Sequence, residues 1–245
     1  MIEKQKQICQ PGKGVLIAAV IWLSWLGALI FALSQPFAIL PAAATALLVV
    51  LLTFLYTGLF ITAHDAMHGS VAPGCPGLNR LIGQIAVRSY AFMSYKWLLS
   101  RHGYHHQFPA SEQDPDYHDG KHRGFWPWYG RFMRRYLKLE QLVGMAVLFN
   151  LLLHVARVPL PNILLFWVLP ALLSTVQLFA FGTFLPHREP AGGYDNPHRS
   201  HSNDYPVWLS FLTCYHFGYH WEHHEYPTTP WWQLPNKRQK LPAAA

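Results

Sequence analysis

His216–Trp232 reads HFGYHWEHHEYPTTPWW, and within it His220, His223 and His224 form the pattern HxxHH. Positions i, i+3 and i+4 of a helix share a face, so three imidazoles spaced this way are expected to converge on one point. The pattern recurs at His102, His105 and His106 in RHGYHH, while His64 and His68 in HDAMH stand one helical turn apart. A solitary pair is common on helix surfaces; two triplets and a pair in one chain point to a metal centre. Imidazole suits Zn, Cu, Fe or Ni. A structural zinc takes four ligands and a catalytic zinc usually three. Eight histidines exceed one ion and predict two, each with four or five ligands. His187, closing an apolar run, is the candidate ninth ligand.

The remaining histidines carry weaker signals. His216, four residues before His220, is left open between ligand, partner of a ligand and packing residue. His198 and His201 in PHRSH are assigned to a loop or to contacts outside the ligand set, and His118, His122 and His154 to ordinary roles. Asp65, Glu222 and Glu225 adjoin the boxes and are expected to accept hydrogen bonds from outer imidazole nitrogens, fixing the rings and raising their basicity. Asp114 and Asp116 in QDPDYHDG are candidates for the same task or for capping a turn.

The chain around these boxes is apolar. Of 245 residues, 51% are hydrophobic and 13% charged, roughly half the charge of a soluble domain, which points to the bilayer. The net charge of +7 is not gathered on a polar domain, so nucleic acid is not an expected partner. Four stretches are long and apolar enough to cross: about 15–33, 42–63, 139–155 and 163–185. Pro170 is expected to kink the last. Residues 73–99 are interrupted by Pro76, Arg80, Arg88 and Lys96, which predicts an interfacial amphipathic segment rather than a crossing. Residues 107–138 read as a cytoplasmic loop, and Met1–Gly14 as a cytoplasmic tail before a retained anchor. The expectation is an all-α integral membrane protein, one domain over residues 1–245. It has four transmembrane helices, interfacial helices and a cytoplasmic histidine-rich cap. With a cytoplasmic start, every box and 18 of 19 Lys and Arg fall on the cytoplasmic side; only Arg157 does not, in line with the positive-inside rule. Trp208, Trp221, Trp231 and Trp232 fit the headgroup zone. Cys9, Cys75 and Cys214 read as three ordinary thiols.

HDAMHG at 64–69, the DPD after HGYHH, FGTFLPHR at 181–188 and LTCYHFGYHWEHHEYPTTPWWQLP at 212–235 resemble the membrane fatty-acid desaturase and hydroxylase superfamily. Within it the sequence is most similar to the bacterial and cyanobacterial beta-carotene ketolases, from the first box to the tail. The resemblance implies a non-haem centre of two iron ions held by His64, His68, His102, His105, His106, His220, His223 and His224, joined by His187. It implies O2-dependent oxidation of the C4 methylene of a beta-ionone ring, taking beta-carotene through echinenone to canthaxanthin. Zeaxanthin to astaxanthin is the related conversion. PHRSHSND departs from the family's usual spacing.

No flavin or nicotinamide fingerprint is present, so the electrons are expected from a separate donor, ferredoxin by resemblance. The basic run Arg131–Lys138 suits an acidic partner and a positive-inside flank equally. The rivals are a carotenoid 3-hydroxylase or acyl-lipid desaturase of the same superfamily, a membrane haem protein, and a zinc hydrolase. Haem ligands belong inside spans, and a hydrolase needs a base motif that HDAMH offers only through Asp65.

Overall fold

The computed structural model describes residues 9, 11–36 and 39–238. Regular structure among them is helical. In chain order the helices are α1 (Lys13–Ser34), α2 (Ala42–Met67), α3 (Pro76–Ala91), α4 (Tyr95–Gln107), α5 (Phe125–Tyr136) and α6 (Leu139–Val155). They continue with α7 (Leu160–His187), α8 (Val207–Cys214), α9 (His220–Glu225) and α10 (Leu234–Arg238).

Three helices, α1, α2 and α7, are long and apolar enough to cross a membrane, with mean hydropathies of 2.5, 2.3 and 2.1. The expected third span forms α6 with the expected limits, but its parts of 12 and 5 residues only reach the lower limit of a crossing. With α5 it forms a broken pair bent by 87°, so the described residues hold three candidate spans, or four if that pair is one. The 26 residues of α2 and 28 of α7 rise about 39 and 42 Å, against a hydrocarbon core of about 30 Å. Each thus exceeds that core by about 10 Å, and His64 and His187 lie in the last turns of these two helices. Both C-termini lie at the end of the bundle where α1 begins, since Gly14 packs directly on the Val71 carbonyl. At the opposite end Asn162 of α7 donates to the Gln35 carbonyl at 2.7 Å.

α7 runs through Pro170. A proline lacks an N–H and its ring collides with the carbonyl four residues back. The backbone answers by widening to i→i+5 turns over Ile163–Val168, and again over Ala180–Phe184 ahead of Pro186. Such bulges recur at functional sites, and the second lies directly below His187.

The segment expected to be interfacial is a helical hairpin. α3 begins with Pro76, which suits a first helical position, and turns back along α2. Tyr90 meets Tyr56 and Phe60 edge-on and donates to Ser174 Oγ at 3.2 Å. Phe92 ends α3 in the left-handed region, at φ 55°, and Ser94 then caps α4 by accepting from the Trp97 N–H. α4 climbs back to carry the second box. The expected loop 107–138 also contains a helix, α5. Phe125, Trp128, Tyr129, Phe132 and Tyr136 repeat at helical spacing, and Trp128 and Phe132 pack on Phe179 of α7. Helix periodicity was legible there beneath the arginines.

Thr57 of α2 bonds Ser174 at 2.9 Å and donates to Gln177 at 2.6 Å, tying α2 to α7 where both are apolar. The three cysteines are not three free thiols: Cys9 and Cys75 form a disulfide, and only Cys214 is free and buried. Sixty-six residues separate the pair, but the packing of Gly14 on Val71 brings residue 9 beside the turn preceding α3. Lys4 and Lys6, part of the expected cytoplasmic tail, lie outside the described residues.

Candidate metal centre

Nine histidines meet at the common end of α2 and α7, in two groups. His64 and His68 of the α2 terminus, His102 and His106 of α4, and His223 of α9 form the first. His105 of α4, His187 of α7, and His220 and His224 of α9 form the second. Within each group the ligand atoms all lie within 4.8 Å of one another. The expected convergence of each HxxHH box on a single point does not occur. Each box sends its i, i+4 pair to one group and its i+3 residue to the other.

The facing atoms are Nε2 throughout. His64 and His223 stand 3.1 Å apart, His68 and His102 2.7 Å, His106 and His223 2.9 Å. In the second group His224 lies 3.2 Å from His105 and 3.1 Å from His220. A neutral imidazole has one N–H and one lone pair, and several outer nitrogens already spend the N–H elsewhere. His187 Nδ1 donates to the Arg199 carbonyl at 2.8 Å, leaving a buried Nε2 without a hydrogen-bond partner among the described residues. His105 Nδ1 lies 3.1 Å from both Asp114 oxygens, and His64 Nδ1 3.2 Å from Asp65 Oδ1. Lone pairs turned on one another are repulsive unless a cation sits among them. The donor set therefore fits one metal ion in each group.

Electrostatics agree with that chemistry. Burial, reinforced by neighbouring imidazoles, holds His102, His220, His223 and His224 well below the usual histidine range, in the neutral form that binds metals. His105 differs. Burial lowers it, but the Asp114 and Asp116 carboxylates outweigh burial and raise it to about 9. Asp116, pushed up by burial to about 6, accepts from the Tyr136 hydroxyl.

The acidic candidates separate. Asp65 and Asp114 touch imidazoles of the two groups, and Asp65 also accepts from the Trp231 backbone N–H at 2.9 Å. Asp116 stands 3.8 Å from His105. Glu222 is buried against Arg238 and Ser202 instead, and Glu225 pairs with His198, outside both groups. His216 is a packing residue, its Nδ1 3.1 Å from Ser210 Oγ and its ring stacked on Tyr219. His201 stacks on Tyr194. His118 packs on Trp128, and His122 pairs with Asp119.

Two contributors escaped the sequence reading. The Arg199 carbonyl orients His187, and a backbone group leaves no trace in residue type. Phe217 stands between the groups, its ring 4.8 Å from His64 and 5.1 Å from His220. It rests on Gly182, where an added Cβ would fall 2.0 Å from the ring. Below it an apolar channel opens, with His64, His102, His105 and His220 at its head and Phe60, Met93, Leu98, Phe132 and Leu178 among its walls.

Residues 40–149 and 137–245 match the fatty acid desaturase family. A beta-carotene ketolase of Paracoccus sp. (strain PC1) is 42% identical over 236 residues, 91% of each chain. A beta-carotene ketolase of Haematococcus lacustris is 42% identical over 196 residues, 78% of this chain and 61% of the relative. A zeaxanthin 4-ketolase of Chlamydomonas reinhardtii is 42% identical over 205 residues, 79% of this chain and 44% of the relative. The chain thus spans about three fifths or less of the two algal proteins' length.

Proposed function

This chain belongs to the fatty acid desaturase family, and we propose that it is an integral-membrane, O2-dependent beta-carotene 4-ketolase. The observation that carries the reading is the pair of histidine groups at the head of an apolar channel. The named activities of its relatives support a carotenoid substrate within the family. In this reading the first group holds one iron and the second the other, and the histidine-rich end of a four-span bundle faces the cytoplasm.

Two irons supply the two-electron activation of dioxygen when bound. Each round consumes one O2, two electrons and two protons, converting a C–H bond to C–OH with release of water. A second round at the same carbon gives a geminal diol, which loses water to leave the ketone. C4 suits this chemistry because it is allylic, and its radical delocalises into the polyene. The residues of the chain position the substrate. Leu178 and Phe132 exclude water, Phe217 fills the space between the groups, and Asp65 and Asp114 hold His64 and His105 in register. Electrons come from an external donor, ferredoxin in this reading. Zeaxanthin, carrying the same ring with a 3-hydroxyl, is the second substrate.

The test is chromatography with mass spectrometry of pigments from beta-carotene-producing cells expressing the chain. Echinenone and canthaxanthin are expected. Zeaxanthin as product would reassign the chain as a 3-hydroxylase, and unchanged carotene beside folded protein and a working donor would point to acyl-lipid desaturation.

A further inference from the structure

The channel below the histidines has a volume of about 110 Å³, less than the roughly 150 Å³ of a cavity that takes one benzene. It can admit only the leading edge of a substituted ring and cannot hold a C40 polyene. A second apolar groove, of about 670 Å³, begins where the channel stops, and Tyr90 and Ala91 line both. The two spaces also share one face of α7. Gly182, Leu178 and Thr175 line the channel, and Ala171 and Val168 the groove, at successive spacings of four, three, four and three residues. That is one stripe of a helix, about 21 Å long at 1.5 Å per residue. Leu29 of α1 and Leu148 of α6 form walls of the groove. Of its polar members, Ser89 accepts from Trp22, Asn150 donates to Ala146 and Tyr90 donates to Ser174, while Arg88 is exposed.

We propose that this groove is the distal subsite of the carotenoid, holding the outer polyene and the unreacted ring while the edge of the other ring enters the channel. The proposal rests on the ketolase reading. A rigid rod anchored along 21 Å of one helix face cannot slide freely, so the subsite sets how far the reacting ring enters and which carbon meets the histidine groups.

The test compares wild type with Ala171→Phe and Leu148→Trp, which narrow the groove from opposite walls. Purified protein is incubated with beta-carotene in detergent, and retained pigment and bound metal are measured. Pigment retention should fall at least about tenfold in both variants, with metal content unchanged. Undiminished retention in either variant, loss of metal in parallel, or replacement of carotene by a co-purified acyl lipid overturns the subsite. A wild-type protein that retains carotene yet forms no ketone removes the parent reading instead, and the retention assay keeps the two failures apart.

Discussion

The Nε2 atoms of His64 and His223 stand 3.1 Å apart across 159 residues of chain. The first lies near the end of the longer of the two N-terminal spans, and the second sits on α9, a helix of only six residues. What delivers α9 there is a turn in which Tyr215 and His216 both adopt positive φ, 49° and 60°. Side chains other than glycine hold that conformation only where the surroundings impose it.

His223→Ala and His224→Ala should each abolish product formation, by at least about 100-fold, while removing different ions. Each purified variant should carry roughly one metal fewer per chain than wild type. Elemental analysis beside pigment profiling checks this, and two full equivalents in either variant would sink the division into two groups.

Asp114→Ala removes the carboxylate that both raises and orients His105. Loss of such a partner costs about 10- to 100-fold in metal affinity or activity. Glu225→Gln, whose carboxylate reaches only His198, should leave turnover within about twofold. Equal effects from the two would argue against the orienting role.

Gly182→Ala forces the Phe217 ring from its seat toward His64 and His220. Overpacking of this kind costs about 1–3 kcal/mol, and turnover should fall further than stability does. A thermal melt paired with pigment analysis separates the two. A variant as active as wild type would show that Phe217 does not set the spacing of the groups.

Ser174→Ala deletes the shared partner of Thr57 and Tyr90 inside the bundle. Hydrogen bonds between membrane helices average about 0.6 kcal/mol, so a loss of about 1 kcal/mol is expected from the two contacts. Unfolding in detergent measures it. Stability at or above wild type would show the network to be incidental.

Much of this was legible before any tertiary structure. The apolar lengths placed α1, α2 and α7 because a bilayer demands about 20 uncharged residues, and the histidine spacing named eight of the nine residues that the fold gathers, with His187 following from its place at the end of an apolar run. α5 was missed because three arginines masked an aromatic stripe, and the non-crossing segment at 73–99 was legible from Pro76, Arg80, Arg88 and Lys96, though its division into α3 and α4 was not. The Cys9–Cys75 pairing has no local signal at all, since it depends on how α1 packs against the turn after α2.

The histidine boxes divide the same way between sequence and fold. Residue type and spacing determined that each HxxHH box presents three imidazoles on adjoining flanks of a helix. At 3.6 residues per turn, i and i+4 lie only about 40° apart, while i+3 falls about 60° to the other side of i. The helical period therefore obliges each box to offer a pair and a single. Which group receives the pair depends on what stands opposite: α2 faces His102 and His106, and α7 faces His220 and His224. Only the packing of the helices decided that, because the facing residues lie far away in the chain and no periodicity within a box encodes them.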